Sequence, residues 1–159
     1  MAESKVCEIG SAFIKDFEGL HDGNKVVPNI QAYHDIAGFP TIGFGHLLSR
    51  LAWEPLSKYP SLTARECEDL LESDYLEKES KVLNMIKPRL TKNKLAALVS
   101  FSFNLGSGAL FRSTMRQRIN AGDFACVPTE LLKWNKAGGL PVRGLTRRRV
   151  AEAALWSSG

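Results

Sequence analysis

Apolar residues recur at spacings of three and four along the opening stretch. Val6, Ile9, Phe13 and Phe17 fall on one side of a helix turning once per 3.6 residues, and they predict a helix that Gly19 ends. Glu18 then occupies its carbonyl-rich end, where the helix dipole disfavours negative charge and favours the protonated acid. Over residues 21–45 the helical period breaks. Gly23, Asn24, Pro28, Asn29, Gly38, Pro40, Gly43 and Gly45 punctuate short runs such as Lys25-Val26-Val27 and Gln31-Ala32-Tyr33, which predict a small antiparallel sheet or hairpin. Asp35 falls near its turn and Thr41 on the returning strand, across the hairpin from Asp35. So small a sheet must lean on helices to be stable.

Helical spacing returns after His46. Residues 47–53 predict a short helix, and Pro55 and Pro60 mark a connecting loop. Thr63-Ala64-Arg65-Glu66 is a capping box, because the hydroxyl and the carboxylate can each accept a backbone N–H at a helix start. A long helix should run from there to about residue 86, before Pro88. Leu95, Leu98, Val99 and Phe103 give an apolar helix dense enough to centre the core. Further helices follow over residues 114–121, closed by Gly122, and 125–133, with Pro128 in the first turn. A loop over residues 135–141 precedes a last helix over about 145–155. The expected class is α+β: one domain over 1–159, with a larger, mostly helical lobe (1–18 plus 88–159) and a small β lobe (about 19–60). A long helix (about 63–86) would join them, with the active site in the cleft between.

Composition adds bounds to this picture. A chain of 159 residues buries roughly 70% of its extended surface on folding, enough for a real core. Hydrophobic residues make up 44% and charged ones 24%, which excludes a disordered chain. Twenty-one basic side chains against 17 acidic ones give a net charge of +4 and a pI near 9.1. That excess suits an anionic polymer such as nucleic acid, an acidic membrane or the bacterial wall, and equally suits a basic surface with no partner. The run Arg147-Arg148-Arg149 is the first place to seek a basic patch. Cys7, Cys67 and Cys126 show no CxxC spacing, so buried reduced thiols are expected and a zinc site is not. Charges at Glu3, Lys5, Glu8, Lys15 and Asp16 interrupt the N-terminus, so neither a signal peptide nor a membrane span is expected.

Two carboxyl groups are the minimum for glycoside hydrolysis, one protonated to donate to the leaving oxygen and one ionised to activate water or attack the sugar. Glu18 suits the first role by its helix-end position, and Asp35, in a polar turn, suits the second. Thr41 could position a water through its hydroxyl. By chemistry alone each has an ordinary structural role as well, and the glycines around Thr41 suit turns or bulges.

The motifs are more specific together. Phe17-Glu18-Gly19, Tyr33-His34-Asp35 and Thr41-Ile42-Gly43-Phe44-Gly45-His46-Leu47-Leu48 resemble, in order and in the Asp-to-Thr spacing, the catalytic motifs of the phage-type lysozymes of glycoside hydrolase family 24. Further similarity lies in the run from Ala97 to Gly108, in Ser113-Thr114, in Trp134-Asn135-Lys136-Ala137-Gly138-Gly139 and in Gly144-Leu145-Thr146-Arg147-Arg148-Arg149. The resemblance spans nearly the whole chain and is nearest to the endolysins of lambdoid phages. It implies a lysozyme-like fold, no metal or organic cofactor, and cleavage of the β-1,4 bond between N-acetylmuramic acid and N-acetylglucosamine in peptidoglycan. Glu18 would be the general acid, Asp35 would orient or deprotonate water, and Thr41 would assist it. Inversion is expected, with the carboxyls about 6.5 to 9.5 Å apart.

The resemblance carries sugar contacts over to Leu47, Phe103 and Thr114, though Leu47 and Phe103 suit core packing equally. His46 is expected to be a structural hydrogen-bonding residue and Trp134 a core anchor. Asn104 and one of Arg147, Arg148 or Arg149 would lie near Glu18. Two departures stand out. Sixteen residues separate Glu18 from Asp35, about twice the usual number in such proteins, which places an enlarged hairpin over residues 21–30. Where some members carry a cleft Asn, this chain reads Cys126-Val127-Pro128. The expected partner is the glycan strand, with no nucleic acid and no stable membrane insertion. A monomer is expected, synthesised in the cytoplasm and reaching the wall through a lesion made by a separate holin. A bacteriocin or effector context fits the same domain. A lytic transglycosylase acting on the same bond, or a basic binding module without activity, are the rival readings.

Overall fold

The computed structural model describes the backbone from residue 2 onward and side chains from residue 8. The side chains of Val6 and Cys7 therefore lie outside the described residues. The elements run α1 (Ala2–Glu18), β1 (Tyr33–His34), β2 (Pro40–Ile42), β3 (His46–Leu47), α2 (Ala64–Met85), α3 (Lys92–Leu105), α4 (Ser107–Arg112), α5 (Thr114–Asn120), α6 (Val127–Leu132), β4 (Lys136–Ala137), β5 (Leu140–Pro141) and α7 (Arg143–Ser157). The α+β class holds. Among the described residues no helix is long and apolar enough to cross a membrane.

Residues 14–74 form one compact unit. Ile14, Ile42, Phe44, Cys67 and Leu71 are its core. Lys15, in the last turn of α1, reaches Glu68 on α2 at 3.2 Å and lies over the Phe44 ring at 5.5 Å. The stripe expected on α1 is rotated in the structure, for Ile9 is 40% exposed while Gly10 and Ile14 are buried. The sheet order is β1-β2-β3, all antiparallel, with Tyr33 opposite Thr41 and Thr41 opposite Leu47. Thr41 therefore faces Tyr33, not Asp35.

Two expectations fail here. Lys25-Val26-Val27 forms no strand, because residues 22–31 are a loop that side chains close at its neck. Asp22 Oδ1 accepts the N–H groups of Asn24 and Gln31, both at 3.0 Å, and Asn24 Oδ1 accepts that of Val26 at 3.1 Å. Side-chain oxygens thus take backbone donors that a strand would have paired. Residues 47–53 form no helix either. Gly43 and Gly45, with φ of 64° and 79°, turn the chain back so that His46-Leu47 pairs with β2, and Leu48 N–H donates to Pro40 at 2.8 Å. A ladder position took precedence over helical spacing.

The helix α2 opens on the expected capping box, in which Glu66 N–H donates to Thr63 Oγ1 and Thr63 N–H to Glu66 Oε1, each at 3.1 Å. Its second half belongs to the other unit, residues 75–159 with the start of α1. There α3 is central, every residue from Leu95 to Ser102 being buried. Its cap is Thr91, whose hydroxyl accepts Lys94 N–H at 3.3 Å. The segment over 135–141, expected as a loop, is a hairpin whose turn is Gly138-Gly139, both at positive φ, as a tight two-residue hairpin connection requires. Trp134 anchors the core edge-on to Phe101 at 5.3 Å.

The basic patch is the largest correction in this unit. Arg148 and Arg149 are 5% and 0% exposed, and only Arg147 faces solvent. Arg149 pairs with Glu152 through Nε at 2.7 Å and Nη2 at 3.2 Å, donates to Asn104 Oδ1 at 2.9 Å and stacks over Phe101. Arg148 donates to the Ser100 carbonyl at 3.2 Å. Helical period places 148, 149, 152 and 156 on the buried side of α7, and a buried guanidinium is tolerated when its donors meet acceptors. Cys67 and Cys126 are free thiols, the first fully buried, and burial pushes both above the usual thiol range.

Candidate active site

Glu18, Asp35 and Thr41 all belong to the unit over residues 14–74. Glu18 is the last residue of α1, and Gly19, at φ 63°, returns its N–H to Lys15 at 3.0 Å and closes the helix. The carboxylate of Glu18 comes to rest against Gly45, where a side-chain carbon would sit 3.3 Å from Oε2. The turn after β2 thus approaches Glu18 with bare backbone. The carbonyl of Glu18 accepts Nε2–H of His21 at 3.0 Å, and His21 N–H donates to Gly43 at 3.3 Å, so one residue ties the helix end to the sheet.

Asp35 organises the turn between β1 and β2. Its Oδ1 accepts the N–H groups of Ala37 at 2.9 Å and Phe39 at 2.8 Å, while its own N–H donates to Phe39 at 3.0 Å and its carbonyl accepts Gly38 N–H at 2.9 Å. Oδ2 stays outside these bonds. The side chain is therefore fixed by the same turn it fixes, a common use of Asp in tight turns. Thr41 is 3% exposed, and its hydroxyl donates to the Phe39 carbonyl at 2.9 Å. Having given its hydrogen there, the oxygen presents its lone pairs as acceptors only.

Tyr33 feels the charge of both acids. Burial first, and then the carboxylates of Glu18 and Asp35, push the Tyr33 phenol above its ordinary value. Both acids act on one hydroxyl, so both lie within electrostatic reach of it. The His21 ring lies 5.6 Å from the Tyr33 ring. Neither Tyr33 nor His21 stood out as a site residue in the sequence, although Tyr33 immediately precedes His34-Asp35 in one of the recognised motifs.

His46 fills its expected structural role from a strand instead of a helix start, donating Nδ1–H to Asp74 at 2.8 Å. The turn of Asp35 has a further neighbour that sequence reasoning passed over. Trp53 donates its N–H to the Gly38 carbonyl at 2.7 Å, and its indole covers Gly38 so closely that a side-chain carbon there would fall 2.4 Å from the ring. Trp53 itself sits at φ 62°, a left-handed conformation that costs a bulky residue about 1–2 kcal/mol. Of the sugar contacts carried over from the resemblance, Leu47 is 38% exposed on β3 of this unit. Phe103, half-buried on α3, and Thr114, exposed at the start of α5, belong to the other unit, as do Asn104 and the three arginines.

The site thus holds two acids in one unit, Asp35 fixed by a turn and Thr41 bonded to the Phe39 carbonyl of that turn. The phage lysozyme family model matches residues 15–152, a span that includes every one of these groups. An endolysin of Bacillus phage PZA is 36% identical over 98% of this chain, which spans 56% of that relative's length. The chain thus spans about half the length of that curated relative. Among solved structures, the endolysin of Escherichia coli phage FAHEc1 superimposes with a TM-score of 0.75 at 33% identity, covering 94% of this chain and 90% of the other. The muramidase domain of SpmX from Asticaccaulis excentricus gives a TM-score of 0.77 at 30% identity, covering 95% and 96%. Family model, sequence identity and fold agree over nearly the whole length, and the chain belongs to the phage lysozyme family.

Proposed function

We propose that this chain is a peptidoglycan hydrolase that cleaves the β-1,4 bond between N-acetylmuramic acid and N-acetylglucosamine. The observation that carries the reading is the Asp35 turn. It holds one oxygen of the carboxylate on two backbone N–H groups, and the Phe39 carbonyl that accepts the Asp35 N–H also accepts the Thr41 hydroxyl, in a unit where Glu18 lies against Gly45. In this mechanism Glu18, protonated, gives its proton to the leaving glycosidic oxygen. A water hydrogen-bonds to Asp35 Oδ2 and to a lone pair of Thr41 Oγ1; its oxygen attacks the anomeric carbon as the bond to the leaving oxygen breaks, and Asp35 takes the proton the water loses. Attack from the face opposite the leaving group gives inversion.

Leu47, Phe103 and Thr114 are the proposed sugar contacts. Action as a monomer, and passage from the cytoplasm to the wall through a lesion made by a separate holin, complete the proposal. The endolysin relatives support the cell wall as the place of action.

The test is digestion of purified peptidoglycan with the products read by mass spectrometry, for the wild type and Glu18→Gln. New reducing ends are expected. Loss of the general acid is expected to slow their release by about 10²- to 10⁴-fold. A 1,6-anhydromuramic product would replace the hydrolase with a transglycosylase, and an unchanged wall effect in Glu18→Gln would leave only a binding module.

A further inference from the structure

We propose that the exposed face of Trp53 is a stacking platform for a pyranose ring of the glycan, placed on the turn that carries Asp35. The proposal rests on the glycan-hydrolase reading above and adds a sugar contact to it. Three observations lead there. Trp53 is 68% exposed, whereas of the other two tryptophans Trp134 is half-buried and Trp156 only 2% exposed. One side of the ring covers Gly38, so the outward side is an open aromatic surface backed by protein. A large apolar ring left in solvent gains nothing from folding, and aromatic faces are favoured where a ligand is apolar on one side and wet on the other. The C–H face and hydroxyl edge of a pyranose have that character.

The ring is also held in place before any ligand arrives. Its backbone N–H is bonded to Gly38, and the His34 ring lies 5.2 Å away. His34 in turn donates Nε2–H to the Glu54 carbonyl at 2.8 Å, which fixes the residue following Trp53. The Glu54 carboxylate is itself clamped by Lys58 at 2.8 Å and by the Tyr59 hydroxyl. A bulky side chain at φ 62° persists only when its surroundings over-determine it, and such positions cluster at functional sites. Ordered in this way, the indole loses little conformational freedom on binding a sugar. Because Gly38 lies three residues after Asp35 and bonds to its carbonyl, a sugar stacked on Trp53 is registered against the turn that presents the Asp35 carboxylate.

The test uses the β-1,4-linked N-acetylglucosamine hexamer with Glu18→Gln protein, in which binding is read without turnover. Tryptophan fluorescence should respond saturably to the saccharide, and the response should disappear in Trp53→Phe while affinity stays close to the parent. Trp53→Ala and Trp53→Gly should each weaken binding about tenfold. The glycine variant suits the left-handed backbone and so separates loss of the ring from loss of fold. In otherwise wild-type protein, Trp53→Gly should raise KM by a similar factor and leave kcat within about twofold, the pattern of lost uniform binding. Unchanged saccharide affinity in Trp53→Gly, or no fluorescence response on binding, would overturn the platform. Failure of the wild type to release reducing ends would overturn the hydrolase reading instead, and the binding titration would still decide the role of Trp53.

Discussion

The hydroxyl of Thr41 donates to the Phe39 carbonyl at 2.9 Å, and the same carbonyl accepts the backbone N–H of Asp35 at 3.0 Å. The Thr41 side chain and the turn that holds Asp35 therefore meet at one shared atom. Thr41→Val keeps the shape and removes the hydroxyl. Since Phe39 retains its bond from Asp35, stability should fall by only about 1 kcal/mol, while kcat falls by tenfold or more. Thr41→Ser should recover most of the rate. Thermal unfolding measured beside reducing-end release separates the two effects, and a rate loss no larger than the stability loss explains would count against Thr41 as a water-positioning group.

Asp35 has a structural and a chemical half, and two variants divide them. Asparagine keeps an Oδ1 that can accept from Ala37 and Phe39, so Asp35→Asn should unfold near the wild-type temperature and still lose most activity. Asp35→Ala removes the acceptor too, leaving two N–H groups without it, and should cost a further 1–2 kcal/mol or so of stability. Equal unfolding temperatures for the two variants would show that the turn does not depend on the carboxylate.

Gly43 and Gly45 are required for different reasons. A side-chain carbon at Gly43 would lie 2.9 Å from the buried sulfur of Cys67, and one at Gly45 would lie 3.3 Å from Glu18 Oε2, both at positive φ. Gly43→Ala should therefore destabilise by about 1–3 kcal/mol through strain and crowding in the core. Gly45→Ala carries the same backbone strain but also displaces Glu18, so its rate loss should exceed that of Gly43→Ala. Denaturant unfolding and initial rates on the same preparations check the ordering.

The Glu152 carboxyl is pushed up to about 7 by burial, against the opposing pull of Arg149 and Arg148. In the unfolded chain it returns to the ordinary glutamate range near about 4.3. The folded state then holds the proton more tightly, so this residue's contribution is fully present below the unfolded value. It is lost as pH rises through the folded one. Stability attributable to Glu152 should decline from about pH 4 to 7. Glu152→Gln should flatten that slope, as unfolding midpoints across the range would reveal. A slope that survives the substitution belongs to another group.

Much of the fold was legible where local chemistry decides structure. The Thr63–Glu66 box, the stop at Gly19, the left-handed Gly122 and Pro128 in the first turn of α6 all act within a few residues, and each stands where the sequence placed it. The failures involve partners distant in sequence. His46-Leu47 became a strand because β2 was available beside it, and Lys25-Val27 lost a strand to the oxygens of Asp22 and Asn24. Arg148 and Arg149 read as a charged surface because Asn104 and Ser100 lie more than forty positions away in the chain. In the candidate site, Glu18, Asp35 and Thr41 were readable as motifs. Tyr33 and Trp53 were not, since what distinguishes them is the company they keep in three dimensions.

The clasp at the neck of the loop over residues 22–31 isolates its tip from the strands. Asp22 grips Gln31 N–H at 3.0 Å, Gly23 N–H donates to the Gln31 carbonyl at 3.1 Å, and Val26 between them is 92% exposed. The closure entropy of such a loop grows only slowly with its length. The tip can therefore be lengthened or trimmed without disturbing β1 or the turn beyond it, and a foreign peptide spliced after Lys25 should be carried as a passenger.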